Sequence, residues 1–138
     1  MSVGLRNQVR VGLYWSLWEF ASPDTGAAMI DPSLLAHLDL LRARWGSVLR
    51  LSSAYRTPEY NTETGGLPFS RHLDGRAVDI PIVDVDPAIP AKASTVAIRA
   101  RGWIPRVELE AFLRLARSIW ARPEDVVDEG DHVHLEVT

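Results

Sequence analysis

Two stretches of this chain alternate apolar and polar residues at a period of two, and both put metal-ligand residue types on the polar side. Ala77 to Val83 sends Val78, Ile80 and Ile82 one way and Ala77 and Asp79 the other. His132 to Val137 sends Val133, Leu135 and Val137 one way and His132, His134 and Glu136 the other. That period belongs to half-buried strands. The chain must therefore build a sheet with one face in a core and one face free for chemistry. Pro81 predicts that its strand lies at an edge or ends nearby.

The first stretch closes the run Ser70-Arg71-His72-Leu73-Asp74-Gly75-Arg76-Ala77-Val78-Asp79. Gly65, Gly66 and Pro68 break the chain before it, so a loop delivers Ser70 and His72. His72, Asp79 and His134 supply two histidines and one carboxylate, the ligand set of a catalytic zinc site with an open position. The chain has no cysteine, so any zinc must be held by nitrogen and oxygen, and a thiol nucleophile is excluded. Singly, a histidine in a polar loop, an H-x-H on a strand and an aspartate near a turn are weak signals. Their conjunction, in a chain with only four histidines, points to a metal-dependent hydrolase.

Such chemistry also needs a proton acceptor and a cation for the developing oxyanion. Asp131, three residues before His134, is the candidate base, and Arg56 the candidate cation. In an ideal strand Asp131 would point with Val133, away from the histidines. The role requires irregular backbone at the strand's start, turned toward the metal, which Gly130 permits.

The remaining pattern predicts α+β, with a small antiparallel sheet and flanking helices. Asp31-Pro32 opens a core helix with Leu34, Leu38, Leu41 and Trp45 at helical spacing, and Gly46 ends it. His37 lies at its surface or boundary. Val48 to Ala54 is expected as a strand, and Thr57-Pro58 as the start of a brief helix through Asn61. Asp84 to Pro90 is expected as loop and Val96 to Arg99 as a further strand. A second helix is expected from Arg106 to Trp120, burying Leu109, Phe112, Leu113, Ala116 and Ile119. Of the aromatic residues Tyr14, Trp15, Trp18 and Phe20, packing onto the core is the expected use.

The 138 residues suit a single domain, 1–138, able to bury one core. The net charge of −3 conceals an acidic end, in which Glu124, Asp125, Asp128, Glu129, Asp131 and Glu136 meet no Lys or Arg. That suits a cation site. There is no concentrated basic stripe, so no nucleic-acid partner is expected. No apolar run is long enough to span a bilayer, so no membrane insertion is expected. Met1 to Arg10 lacks the layout of a secretory signal; synthesis in the cytoplasm is expected.

These residues resemble the zinc D-Ala-D-Ala carboxypeptidases of the VanX/VanY type, including the phage endolysins that cut L-alanyl-D-glutamate bonds. Ser70, His72, Gly75, Ala77 and Asp79 match every position of that family's S-x-H-x-x-G-x-A-x-D. Ser53-Ala54-Tyr55-Arg56-Thr57-Pro58 with Asn61 matches its upstream element, and Asp131 with His134 its closing one. The agreement runs through residues 31–138, although 84–103 follows no family pattern. The resemblance implies a hedgehog/D-Ala-D-Ala-peptidase-like fold and one Zn2+ per chain, held by His72, Asp79 and His134. It implies Asp131 as catalytic base and Arg56 on the substrate carbonyl. His132 would stabilise the intermediate or orient its neighbours, and Ser70 would contact substrate.

The expected function is thus a zinc peptidoglycan peptidase, a monomer acting at the cell wall on a stem-peptide bond next to a D-amino acid. It would be a carboxypeptidase or an L-Ala-D-Glu endopeptidase, in a phage lysin or in host wall turnover. The rival is a non-catalytic wall-binding or phage structural module that keeps the fold. A third reading is a purely structural metal, closed by a fourth ligand such as His132.

Overall fold

The computed structural model describes residues 9–138. Eight of the ten residues from Met1 to Arg10, on which the signal-sequence expectation rests, lie outside it. A two-stranded antiparallel ribbon, β1 (Arg10–Val11) and β2 (Trp15–Ser16), precedes helix α1 (Pro32–Trp45). Then come α2 (Pro58–Glu63), β3 (Ala77–Val83), α3 (Ala91–Ala100) and β4 (Ile104–Pro105). Helix α4 (Leu109–Ile119), β5 (Val126–Asp128) and β6 (His132–Glu136) complete the chain. No helix among the described residues is long and apolar enough to cross a membrane.

The α+β expectation is borne out, with one refinement in the sheet. Its order is β4-β3-β6-β5; β3, β6 and β5 are antiparallel, while the short edge strand β4 runs parallel to β3. Val78, Ile80, Val133 and Leu135 point from the sheet into a core shared with Leu34, Leu38, Leu41 and Phe112. Each such side chain, fully buried, contributes on the order of 1.5–3 kcal/mol. The opposite face of β3 and β6 carries Asp79, His134 and Glu136.

The two long helices form where the capping signals place them. The Asp31 carboxylate accepts from Ser33 N (2.8 Å) and Leu34 N (3.2 Å), and Gly46 ends α1 in the left-handed conformation at φ 79°. Helix α4 follows a 3-10 turn at Arg106–Glu108 and buries Phe112 and Ala116, with Trp45 meeting Phe112 edge-on at 5.1 Å between ring centroids. His37 sits at the boundary, its ring 4.9 Å from that of Trp120. The aromatic cluster divides: Trp15 and Phe20 are buried, while Tyr14 and Trp18 stay partly exposed.

Two expected strands are absent. Val96 to Arg99 lies in α3: four alanines at 91, 93, 97 and 100 favour helix, and Ser94 and Ile98 form its buried stripe at i, i+4. Val96 is 61% exposed and packs no sheet face. Val48 to Ala54 is extended but forms only an isolated bridge, Ser53 to Asp79. Its backbone divides its partners: Arg50 N donates to Gly102 O (2.8 Å), whereas Ser52 N donates to Asp79 O (2.9 Å). Neither neighbour offers it a continuous ladder.

Pro81 lies in an interior strand, not an edge one, but the strand does end nearby, at Val83. Asp79 N donates to Ser53 O (2.8 Å), and Ile82 N donates to the other side, to Asp131 O (2.9 Å). By alternation the Pro81 nitrogen faces the flank where the Ser53 bridge has ended and the β4 pairing, which starts at Ile82, has not begun. The missing N–H costs no ladder bond there.

Candidate metal centre

Strand register brings the two halves of the pattern together. In the β3–β6 pairing Asp79 stands opposite His134, so side chains 55 residues apart share one face. His134 Nδ1 lies 2.8 Å from Asp79 Oδ1. His72 arrives from a 3-10 turn, Arg71–Asp74, that Ser70 caps by accepting from His72 N (3.2 Å). Gly75 ends that turn at φ 71°, where a Cβ would also press on Met29. His72 is buried; its Nδ1 meets Ala54 O at 2.6 Å, and its Nε2 lies 3.3 Å from Asp79 Oδ2.

One ligand atom from each of His72, Asp79 and His134 lies within 4.8 Å of the others. These two imidazoles and a carboxylate fit a borderline cation such as zinc. Burial alone would raise the Asp79 carboxyl. Hydrogen bonds to His134 and His72, and their charge, outweigh it and hold the group well below the usual carboxylate range. Burial likewise disfavours charge on His134, but hydrogen bonds to Asp79 and Glu136 raise it overall.

Arg56 joins this cluster. Thr57 caps α2 by accepting from Tyr60 N (3.2 Å), which sets the backbone just after Arg56. The Arg56 guanidinium donates to Ser53 Oγ (3.1 Å) and Asn61 Oδ1 (3.3 Å), and Nη2 lies 3.7 Å from Asp79 Oδ2. Asn61 is itself buried and donates to Leu67 O (2.9 Å). Ser53, Arg56 and Asn61 thus form one connected support.

Asp131 stands in irregular backbone just before β6, after Gly130 at φ 96°. Its carboxylate, however, does not turn to the triad: the side chain is 88% exposed, and Oδ1 meets His132 Nδ1 at 2.5 Å. His132 does face the centre, with Nε2 3.7 Å from Asp79 Oδ1. Asp131 therefore reaches the site through His132. Ser70 lines the cleft while its Oγ is engaged in capping.

The residues open into a cleft of about 520 Å³, bounded by Arg71, Phe69, Val127 and Glu129 as well as the triad. Phe69 is 94% exposed at its mouth. Glu136, to which no role is given in the sequence analysis, lies in the site: Oε1 is 2.8 Å from His134 Nε2. The signal for it was the alternation that places Glu136 on the same face as His134. Phe69 had no comparable signal.

Compared with known protein families, residues 18–106 match a family model described as Peptidase M15. No curated protein and no solved structure matches the chain. The matched span contains Arg56, His72 and Asp79 and stops before Asp131 and His134; the β3–β6 register supplies the rest of the site.

Proposed function

This chain belongs to the peptidase M15 family and is a metallopeptidase; from that premise we propose that it is a zinc peptidoglycan peptidase that cuts a stem-peptide bond next to a D-amino acid. One observation carries the reading: the His72–Asp79–His134 cluster sits beside a held arginine in an open cleft. A non-catalytic wall-binding or phage structural module would have no physical need of Arg56 or of the Asp131–His132 pair.

His72, Asp79 and His134 would hold the ion, which when bound supplies Lewis acidity for acidifying a water and polarising a carbonyl. Arg56 faces the same space with its orientation already set by Ser53 and Asn61, so it stabilises developing oxyanion charge with little reorganisation. Asp131 and His132 act as one proton-accepting unit. His132 Nε2 takes the proton of the attacking water, and the Asp131 carboxylate holds Nδ1–H and stabilises the charged ring. The proton then passes to the leaving amine. Leu67 and Phe69 give the cleft an apolar rim for substrate side chains.

The test is digestion of purified peptidoglycan by zinc-loaded and chelator-treated protein, with mass spectrometry of the muropeptides. Chelator-sensitive release of new amino groups is expected. Loss of a terminal D-alanine identifies a carboxypeptidase; cleavage between L-Ala and D-Glu identifies an endopeptidase of the phage-lysin kind. No release from any stem-peptide substrate by zinc-replete protein would leave the binding module as the better reading.

A further inference from the structure

The two histidines of the triad present different ring nitrogens to the centre, and each has its outer nitrogen occupied. His72 turns Nδ1 outward to Ala54 O (2.6 Å) and Nε2 inward to Asp79 Oδ2 (3.3 Å). A carbonyl oxygen only accepts, so Nδ1 carries a proton, and Nε2, which faces Asp79, is the nitrogen left to hold an ion. His134 does the reverse. Nδ1 turns inward to Asp79 Oδ1 (2.8 Å) and Nε2 outward to Glu136 Oε1 (2.8 Å).

We propose that Glu136 is a positioning residue that keeps a proton on Nε2 of His134, so that with an ion bound the ring is the Nε2–H tautomer and its Nδ1 lone pair faces the metal centre. This rests on the metal-site reading above. Glu136 is well placed because it follows His134 by two residues on the same face of β6. Its backbone is anchored as well: it stands in register with Ala77, and its carbonyl accepts from Trp120 Nε1 (2.9 Å). The second carboxylate oxygen lies 4.0 Å from Arg71 Nε, which restrains the side chain from the cleft side. His134 has no backbone carbonyl in the role Ala54 plays for His72, and the carboxylate substitutes for it. Outer partners of this kind commonly change metal affinity by 10–100-fold.

The experiment titrates metal-free protein with Zn2+ against a chromophoric chelator, and reads the His134 tautomer of the zinc form by long-range 1H–15N NMR. Wild type is expected to show Nε2–H on His134. Glu136→Ala should bind zinc about 10–100-fold more weakly, while the metal-free protein melts as wild type does. Glu136→Gln, whose amide oxygen still accepts from Nε2–H, should recover most of the affinity, and it decides the matter if the alanine variant does not fold. Zinc binding by Glu136→Ala equal to wild type, a glutamine variant as weak as alanine, or an Nδ1–H tautomer would each overturn the proposal. A wild-type chain that binds no zinc would instead sink the metal-site reading on which it stands.

Discussion

The two walls of the cleft hold their residues by different means. On one wall Asp79 and His134 are fixed by strand register, so moving either requires breaking a ladder whose far side is the core. On the other wall Arg56 and His72 come from loops and short turns. There individual hydrogen bonds do the holding: Ser53 and Asn61 set the Arg56 guanidinium, Ala54 O sets the His72 ring, and Ser70 holds the His72 backbone N–H. The strand wall is rigid because geometry repeats along it. The loop wall is adjustable, and a substitution there shifts one residue at a time. Metal affinity should follow the first wall together with His72, and turnover and substrate preference should also draw on the rest of the second.

The sharpest way to break that division is at Asp79, whose carboxylate meets His134 on one wall and His72 and Arg56 on the other. Asp79→Ala, like His134→Ala, should abolish zinc binding and peptidase activity together. The check is zinc content after dialysis, with circular dichroism to show that the fold is kept. Retention of stoichiometric zinc by Asp79→Ala would mean that the ion is held elsewhere.

Asp131 should separate the two properties. Asp131→Ala is expected to keep zinc and fold but lose turnover by about 10²–10⁴-fold. His132→Ala should fall comparably, because the structure gives Asp131 access to the centre only through that ring. Steady-state kinetics on a stem peptide would decide. Full activity in His132→Ala with loss in Asp131→Ala would mean that the carboxylate acts directly, after turning from its present contact.

A smaller effect is expected from the loop wall. A Cβ on Gly66 would overlap the Asn61 amide and come within 3.0 Å of Arg56 Nη1. Because Asn61 is buried and bonded on both sides, Gly66→Ala should displace Arg56 rather than be absorbed. The expected outcome is a roughly tenfold fall in kcat/KM, about 1.4 kcal/mol, with zinc affinity unchanged. An equal loss of zinc affinity would show that the walls are coupled more tightly than their separate supports suggest.

What the sequence disclosed follows the same division. Alternation at period two exposes which residues share a strand face, so Asp79, His134 and even Glu136 were legible in position. Capping residues made α1 and α2 legible for the same reason: Asp31 and Thr57 act within three residues of themselves. Side-chain direction in irregular backbone has no such period. Nothing near Asp131 in sequence says that its carboxylate turns to His132, and nothing near Val48 to Ala54 says that its backbone divides between Asp79 and Gly102. Residues 96–99 are helical in α3, not a strand, because the alanines around them favour helix and Val96 lies exposed instead of packing against a sheet.

Ser70 offers the finest test of the loop wall. The family resemblance implies a contact with substrate, whereas the structure gives its Oγ a defined task, accepting from His72 N at the start of the turn that carries His72. Removing a cap of this kind costs about 1 kcal/mol. His72 has two further restraints, Nδ1 at Ala54 O and its own carbonyl accepting from Arg56 N (3.0 Å), so its ring should stay in place. Ser70→Ala is therefore expected to lower unfolding free energy by about 1 kcal/mol in urea, with zinc affinity and KM both close to wild type. A raised KM with unchanged stability would assign the hydroxyl to the substrate. In that case the cap is dispensable, and the turn is held by Gly75 and the bonds of His72 alone.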